Sequence, residues 1–290
     1  MFSQFFRKIL RPQPIPFIEN KALLLVSRTE CTVIFRSKER YLQRTINFEL
    51  SPNKPSATIE VTAAMIQIFE EILETIPNKN ISIQVLIDSS ITRYFMVTPF
   101  QNTHSISDAR DAATHRFIQL YGQEQISLWD IRGDWNASEI FLGAAIPKIW
   151  IQQIVELQKH RRLHVSSILP LASYIFHELQ PKLKLSSFLL IKEQFSWLLF
   201  ICDQRKLISV RTFAREYEDE QTNQIVHSLI LRESINLGIT TPKEVLVFGS
   251  EILQLPQNSS IHLNRASNLT SSINDLHSFF SCYTYQGVLQ

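Results

Sequence analysis

The sequence has little of what marks several common protein classes. It contains six glycines and three cysteines in 290 residues, and its formal net charge is +2. Cys31, Cys202 and Cys282 lie far apart with no Cys-x-x-Cys pair, which argues against a disulfide framework and against a cysteine zinc site. No apolar run approaches the roughly 20 residues that a membrane-spanning helix needs. The balanced charge excludes a protein whose function is to coat nucleic acid.

The N-terminal segment lacks the pattern of a secretion signal. Residues 1–10 carry three phenylalanines but no continuous apolar core and no small-residue cleavage site. The pattern leaves two interpretations open, a weak amphipathic contact with an anionic membrane or a short turn that packs on its own domain. Three prolines in residues 11–16 remove helix and sheet hydrogen bonds, so residues 1–16 are predicted to form an extended lead-in.

What the sequence does have is enough apolar residues for two cores, since 44% of the chain is hydrophobic. Periodicity predicts a three-stranded meander over residues 22–50, then an amphipathic helix over 57–76 and a buried strand over 81–87. Further strands and helices follow up to Pro181. Together these segments predict a first lobe at residues 17–180 that carries an inserted subdomain.

The same series of elements is predicted again in the rest of the chain. A second meander covers residues 185–213, a helix covers 218–237, a strand covers 245–248, and a last helix covers 271–280. Two copies of meander, helix, strand and helix are typical of the α/β actin-like, ribonuclease-H-type fold with two lobes. The second lobe is therefore predicted at residues 181–290.

Several short segments of the first lobe carry a resemblance to a known family. Asp88-Ser-Ser-Ile-Thr-Arg-Tyr94, Pro99-Phe100, Arg116-Phe117 and Tyr121-Gly122 resemble the cytoplasmic domain of the type II secretion protein GspL. Leu142-Gly-Ala-Ala-Ile-Pro147 and Leu163-His-Val-Ser-Ser-Ile-Leu-Pro170 are similar to the pilus assembly protein PilM. The similarity covers about two thirds of the chain, and its motifs are structural.

The resemblance implies a non-catalytic scaffold in an inner-membrane assembly platform for type IV pili or type II secretion. The expected partner is a bitopic inner-membrane protein, and the chain is expected to be cytoplasmic and peripheral to that membrane, which it contacts indirectly. A motor ATPase and a second copy of the chain are further partners that the resemblance leaves open. No transmembrane segment precedes Gln290, so the layout is expected to be closer to PilM than to GspL.

Nucleotide binding is not expected. Actin-like ATPases hold phosphates on two β-hairpins in which glycines let backbone N–H groups approach the anion. The corresponding hairpins here, Val26–Cys31 and Ile191–Phe195, contain neither glycine nor aspartate, and only Gly249 remains of the adenine-side glycine pair. The equivalents of a degenerate nucleotide site are Ser27, Thr29, Lys192, Glu193, Gly249 and Ser250. No cofactor is expected, although the fold alone allows a divergent actin-like ATPase or kinase.

Other polar patterns give weak signals. His160 and His164 have the i, i+4 spacing of a helical metal pair, but adjacent arginines oppose a cation, and no metal site is predicted. Asp88 follows a central strand, where a capped turn or an ion pair with Arg93 explains it. Basic side chains and loop aromatics often anchor interfaces, so five residues are candidates for partner binding: Arg93, Phe100, Trp135, Arg161 and Arg162.

Overall fold

The computed structural model describes residues 21–36, 41–47, 57–75, 80–101, 104–160, 162–180, 183, 186–193, 195–214, 219–249 and 259–265. The predicted lead-in at 1–16, the predicted helix at 271–280, and candidate residues Arg161 and Ser250 lie outside this description. Contacts within the chain define two compact units, Met1–Leu171 and Ala172–Gln290. The sequence instead divides the chain after residue 180, and the two divisions differ in the placement of one helix, Leu171–Leu179.

The elements of the first unit, in chain order, are β1 (Lys21–Val26), β2 (Glu30–Arg36), β3 (Tyr41–Asn47), α1 (Ala57–Thr75), β4 (Ile81–Ile87), β5 (Arg93–Val97), α2 (Ile106–Tyr121), β6 (Trp129–Gly133), β7 (Phe141–Pro147), α3 (Lys148–Glu156) and β8 (Leu163–Pro170). Five of the strands form one sheet in the order β3-β2-β1-β4-β8. The β1–β2–β3 meander is antiparallel, whereas β4 pairs in parallel with β1 and with β8.

The core of the first unit follows from the two-residue period of its strands. Alternate residues of β1, β2 and β4, such as Leu24, Val33 and Val85, join one buried cluster with Phe69 of α1 and Ile154 of α3. Strand β4 is buried at nearly every residue, as expected for a central strand that is covered on both faces. Two helices therefore cover this sheet on the face that the alternation selects.

A smaller subdomain is inserted between β4 and α3. Strands β5, β7 and β6 form a three-stranded antiparallel sheet in that order, and α2 packs on it through Ala109, Ala113 and Phe117. Helix α2 begins at a capping box in which Ser105 and Asp108 exchange side-chain and backbone hydrogen bonds. It ends at Gly122, whose φ of 97° suits glycine.

The second unit repeats the sheet of the first. Its elements are α4 (Leu171–Leu179), β9 (Ser187–Lys192), β10 (Ser196–Asp203), β11 (Lys206–Ala214), α5 (Asp219–Asn236), β12 (Glu244–Phe248) and β13 (His262–Arg265). The strand order is β11-β10-β9-β12-β13, with an antiparallel meander and two parallel pairs. The predicted second meander and the helix and strand that follow it are confirmed, whereas the predicted last helix lies outside the described residues. Strand β13 was not predicted, because its four residues His-Leu-Asn-Arg show no apolar run.

Within the described part of the chain, no helix is long and apolar enough to span a membrane.

Candidate functional site

The backbone N–H groups of the β1–β2 hairpin donate hydrogen bonds to acceptors within the protein. This hairpin corresponds to one that binds phosphate in actin-like ATPases. The N–H of Ser27 donates to Glu30 O at 2.9 Å, and the N–H of Arg28 donates to Ser90 Oγ at 3.1 Å. The N–H groups of Thr29 and Glu30 both donate to Ser27 Oγ, at 3.4 and 3.3 Å. All four amides of residues 27–30 therefore have acceptors inside the protein.

Asp88 caps the turn that follows β4. Its side chain accepts a hydrogen bond from the N–H of Ser90 at 2.7 Å, and its own N–H donates to Val26 O at 2.9 Å. The sequence left a capped turn and an ion pair with Arg93 open for Asp88. The capped turn is correct, and it places Ser90 where its hydroxyl can receive the Arg28 N–H.

Glu30, at the start of β2, is a buried carboxyl close to Asp88. Only 8% of the Glu30 residue is exposed, and among the described residues nothing donates a hydrogen bond to its Oε1. Burial, and secondarily the charge of Asp88, raise the pKa of Glu30 to about 7. Burial also raises the pKa of the neighbouring Cys31 thiol to about 12, so that thiol is neutral and not a nucleophile near neutral pH.

The β9–β10 hairpin is more buried than the sequence indicates. Lys192 was interpreted as a solvated turn lysine, but it is the last residue of β9 and is 3% exposed. Its Nζ lies 5.4 Å from the centroid of the Trp197 ring. The next residue, Glu193, is 1% exposed, and its N–H donates to Ser196 O at 2.9 Å. The solvated interpretation is wrong because the lysine packs on an indole in the core.

Gly249 follows β12 and allows two chain segments to approach closely. Its φ is +140°, and a Cβ built there would lie 2.8 Å from the Cβ of Lys192. Contacts that short are essentially not found between real side chains, so a larger residue would displace the end of β9. Close packing and the positive φ thus explain the glycine at position 249 without any role in binding adenine.

Arg93, a predicted partner-binding residue, lies over two aromatic rings of the inserted subdomain. Its guanidinium carbon is 4.5 Å from the centroid of the Tyr121 ring and 4.2 Å from that of Trp129. The sequence did not reveal this arrangement, because Tyr121 ends α2 and Trp129 begins β6, each far from Arg93 along the chain.

Two other predicted partner-binding residues, Trp135 and Phe100, lie in loops of the same subdomain. Trp135 has a φ of 43°, unusual for a residue with a Cβ. The centroid of its ring lies 6.3 Å from that of the Phe141 ring and 5.4 Å from the guanidinium carbon of Arg110. Phe100 is 49% exposed and meets His115 edge-on. Trp135 is therefore mostly engaged within the subdomain, whereas Phe100 presents about half its surface.

Arg162 has a structural contact on the main sheet of the first unit. Both terminal nitrogens of its guanidinium donate to Leu73 O of α1 at 3.4 Å, and its carbonyl accepts from the Ile81 N–H at 2.8 Å. Arg162 thus links the end of α1 to Ile81 at the start of β4.

The described residues contain no group of three or more His, Cys, Asp or Glu that could hold a metal ion.

Comparison with known proteins places this geometry in a fold. No family model matches the sequence, and no curated protein sequence matches it. A Bacteroides thetaiotaomicron protein with an actin-like ATPase fold and unknown function matches with a TM-score of 0.53 and 10% identity, over 92% of this chain and 96% of that chain. The fold is actin-like.

Two further solved structures share this actin-like fold. The cytoplasmic domain of EpsL, an inner membrane component of the Vibrio cholerae type II secretion system, matches at a TM-score of 0.53 and 10% identity, over 91% of this chain and 94% of that chain. A chain of the PilM–PilN type IV pilus biogenesis complex matches at 0.50 and 11%, over 93% and 97%. The sequence-based prediction of an actin-like fold like that of GspL and PilM is confirmed.

Proposed function

We propose that this actin-like chain is a non-catalytic scaffold of an inner-membrane assembly platform for a type IV pilus or a type II secretion system. It binds the cytoplasmic segment of a bitopic inner-membrane protein and lies at the cytoplasmic face of that membrane. The observation that carries the proposal is the likeness, over more than nine tenths of the chain, to the EpsL cytoplasmic domain and to a chain of the PilM–PilN complex.

The first hairpin supports the non-catalytic part of the proposal. A phosphate site needs backbone N–H groups that are free to donate to the anion, but all four amides of residues 27–30 donate to protein acceptors. Releasing them would break the hydrogen bonds that shape the turn. Glu30 is the first residue of β2 and is buried, and the ionised form of its carboxyl group would repel a triphosphate.

A capture experiment tests the partner. The full chain, tagged and expressed in its own host, is isolated with mild detergent, and the bound proteins are identified by mass spectrometry. The expected result is enrichment of a protein with one transmembrane helix and a short cytoplasmic segment, reproduced with the two purified proteins. Failure of every such membrane protein to bind in the purified system would overturn the scaffold proposal.

A divergent actin-like ATPase or kinase is the second candidate, and the buried Lys192 beside the second hairpin is the feature that favours it. Calorimetric titration with Mg-ATP separates the two candidates. The scaffold proposal expects no binding heat and no phosphate release. Binding in the micromolar range, lost in a Lys192→Met variant that still folds, would support the nucleotide-binding candidate.

A further inference from the structure

Strand β6 lies at an edge of the inserted subdomain, because the strand order of that sheet is β5-β7-β6. At one end of its antiparallel pairing with β7, the Lys148 N–H donates to Leu128 O at 2.8 Å. At the other end, the Asp134 N–H donates to Leu142 O at 3.1 Å. Residues that bond to the partner strand alternate with residues that do not. The even-numbered residues of 128–134 therefore direct their backbone N–H and C=O groups to β7.

The odd-numbered residues of β6 direct the same groups away from the sheet. These residues are Trp129, Ile131 and Gly133, and each of them is partly exposed. Among the residues that the structure describes, none forms a hydrogen bond with their backbone N–H or C=O groups. A row of unpaired backbone groups is a template for another strand, since an extended chain supplies donors and acceptors at the matching spacing.

The two faces of β6 differ in chemistry. Trp129 and Ile131 pack in the cluster that α2 covers, so the alternation of the strand places Asp130 and Arg132 on the other face. The Arg132 Nε donates to Asp130 Oδ2 at 2.7 Å, and its Nη1 donates to Ile168 O of β8 at 2.7 Å. Their side chains stay 37% exposed for Arg132 and 39% exposed for Asp130. One positive and one negative charge thus lie two residues apart on a partly exposed edge.

Two copies of this edge are complementary when they pair antiparallel around Ile131. Trp129 of one copy then lies opposite Gly133 of the other, and Ile131 lies opposite itself, so each outward residue can exchange both N–H···O bonds with its counterpart. At the positions between, where opposite side chains come closest, Asp130 of each copy faces Arg132 of the other. The largest side chain of β6 also faces the residue that has none, which lets a ring cover a glycine on the neighbouring strand.

Charge selects this register over its neighbours. A two-fold pairing centred one residue earlier would place Asp130 opposite itself, and one centred a residue later would place Arg132 opposite itself. In the favoured register Asp134 faces Leu128 of the other copy, whose carbonyl accepts the Lys148 N–H. Within residues 128–134, no like charges then face each other across the edge.

We infer that β6 pairs antiparallel with β6 of a second copy around Ile131, so that the two three-stranded sheets continue into one across a two-fold axis. The inference goes beyond the proposed scaffold function and does not depend on it. A second copy fits better than a strand of another protein, because this five-residue edge itself supplies both halves of each charge pair. Such a short edge buries little surface, so the dimer is expected to be weak and to depend on concentration.

Sedimentation equilibrium of the full chain, at concentrations up to its solubility limit, tests the dimer. Asp130→Lys gives an edge with two positive charges and Arg132→Glu gives one with two negative charges, so each variant alone is expected to dimerise about tenfold more weakly or worse. An equimolar mixture of the two variants is expected to form a heterodimer, because opposite charges again face each other at both positions. Misfolding of either variant would not produce this recovery.

Glu71→Lys and Arg44→Glu are the matched controls. These two residues form an exposed ion pair between α1 and β3, and the substitutions change the net charge by the same amounts as those in β6. Both controls are expected to keep the affinity of the dimer within about twofold. A monomer at every concentration, equal losses in the controls, edge variants that dimerise normally, or a mixture without heterodimer would overturn the inference.

Amide hydrogen exchange, resolved by residue, locates the contact. The N–H groups of Trp129, Ile131 and Gly133 are expected to exchange more slowly as the fraction of dimer rises, because they become hydrogen-bonded. The N–H groups of Asp130 and Arg132 already donate to β7 and are expected to change much less. A dimer in which the three outward amides exchange as fast as in the monomer would overturn the inference.

Discussion

The backbone N–H of Arg28 donates a hydrogen bond to the hydroxyl of Ser90, a residue 62 positions further along the chain. This contact links the β1–β2 hairpin to the turn that Asp88 caps after β4. Ser27 Oγ accepts two further hydrogen bonds, from the N–H groups of Thr29 and Glu30. The hairpin that corresponds to a phosphate-binding loop therefore directs these backbone N–H groups to acceptors within the protein. Substitutions can test this turn, the carboxyl beside it and the corresponding end of the second sheet separately.

Ser27→Ala is expected to lower the free energy of unfolding by about 1–2 kcal/mol, because the turn amides of Thr29 and Glu30, of which the second is buried, lose their acceptor. Urea unfolding of the full chain measures the loss. Ser138→Ala is the matched control, since Ser138 is exposed and its hydroxyl contacts only the Asn136 side chain among the described residues. Its effect is expected within about 0.5 kcal/mol. Equal effects of the two substitutions would contradict the role of Ser27.

Glu30 is expected to make stability depend on pH. Its pKa in the folded protein is about 7, above the ordinary value of 4.5, so the folded state holds this proton more tightly than the unfolded state. The contribution of Glu30 to stability therefore falls as the pH rises from about 4.5 to about 7, and it stays low above that range.

Glu30→Gln is accordingly expected to be more stable than the original chain at pH 8, by roughly 1–3 kcal/mol, and to lose that advantage near pH 4.5. Thermal unfolding at the two pH values measures the difference. The control is Glu70→Gln, which changes an exposed carboxylate on α1. An advantage of Glu30→Gln that is the same at both pH values would show that charge burial is not its cause.

Gly249→Ala is expected to destabilise the second unit by about 2 kcal/mol or more, because the new Cβ would lie 2.8 Å from the Cβ of Lys192 at a φ of +140°. Gly238→Ala isolates the backbone part of this cost. Gly238 also has a positive φ, of 64°, but no described residue comes within 4 Å of the place that a Cβ would take there, so about 1 kcal/mol is expected. Chemical denaturation compares them, and a Gly249→Ala cost no larger than that of Gly238→Ala would exclude close packing as the cause.

Much of the fold was predictable from the sequence. The strand Ile81–Ile87 was predicted with the bounds that it has in the structure, and helix α1 differs from its prediction by one residue at its end. Apolar periods of two and of three to four residues are local properties of a sequence, so they identify strands and helices directly. The missing hairpin glycines are local in the same way.

The arrangement of the candidate site depends on contacts between residues that are distant in sequence, and the apolar periodicity of the sequence does not predict such contacts. Arg93 was identified as a partner-binding candidate, yet its support by Tyr121 and Trp129 joins three elements that are separate in the sequence. The sequence predicted a solvated Lys192, whereas in the structure its Nζ lies over the Trp197 ring. The type of a side chain sets the interactions that it can make, but its neighbours in the folded protein determine which of those interactions form.

The sequence by itself determined the two repeated series of strands and helices and the absence of glycine from both hairpins, because each depends on residues that are adjacent or one helical turn apart. Only the tertiary structure decided that the amides of the first hairpin are occupied, that Glu30 is buried beside Asp88, and that Arg93 lies over the Tyr121 and Trp129 rings. Hydrogen bonds, burial and ring contacts join residues distant in sequence, and these form only when the sheets and helices have packed.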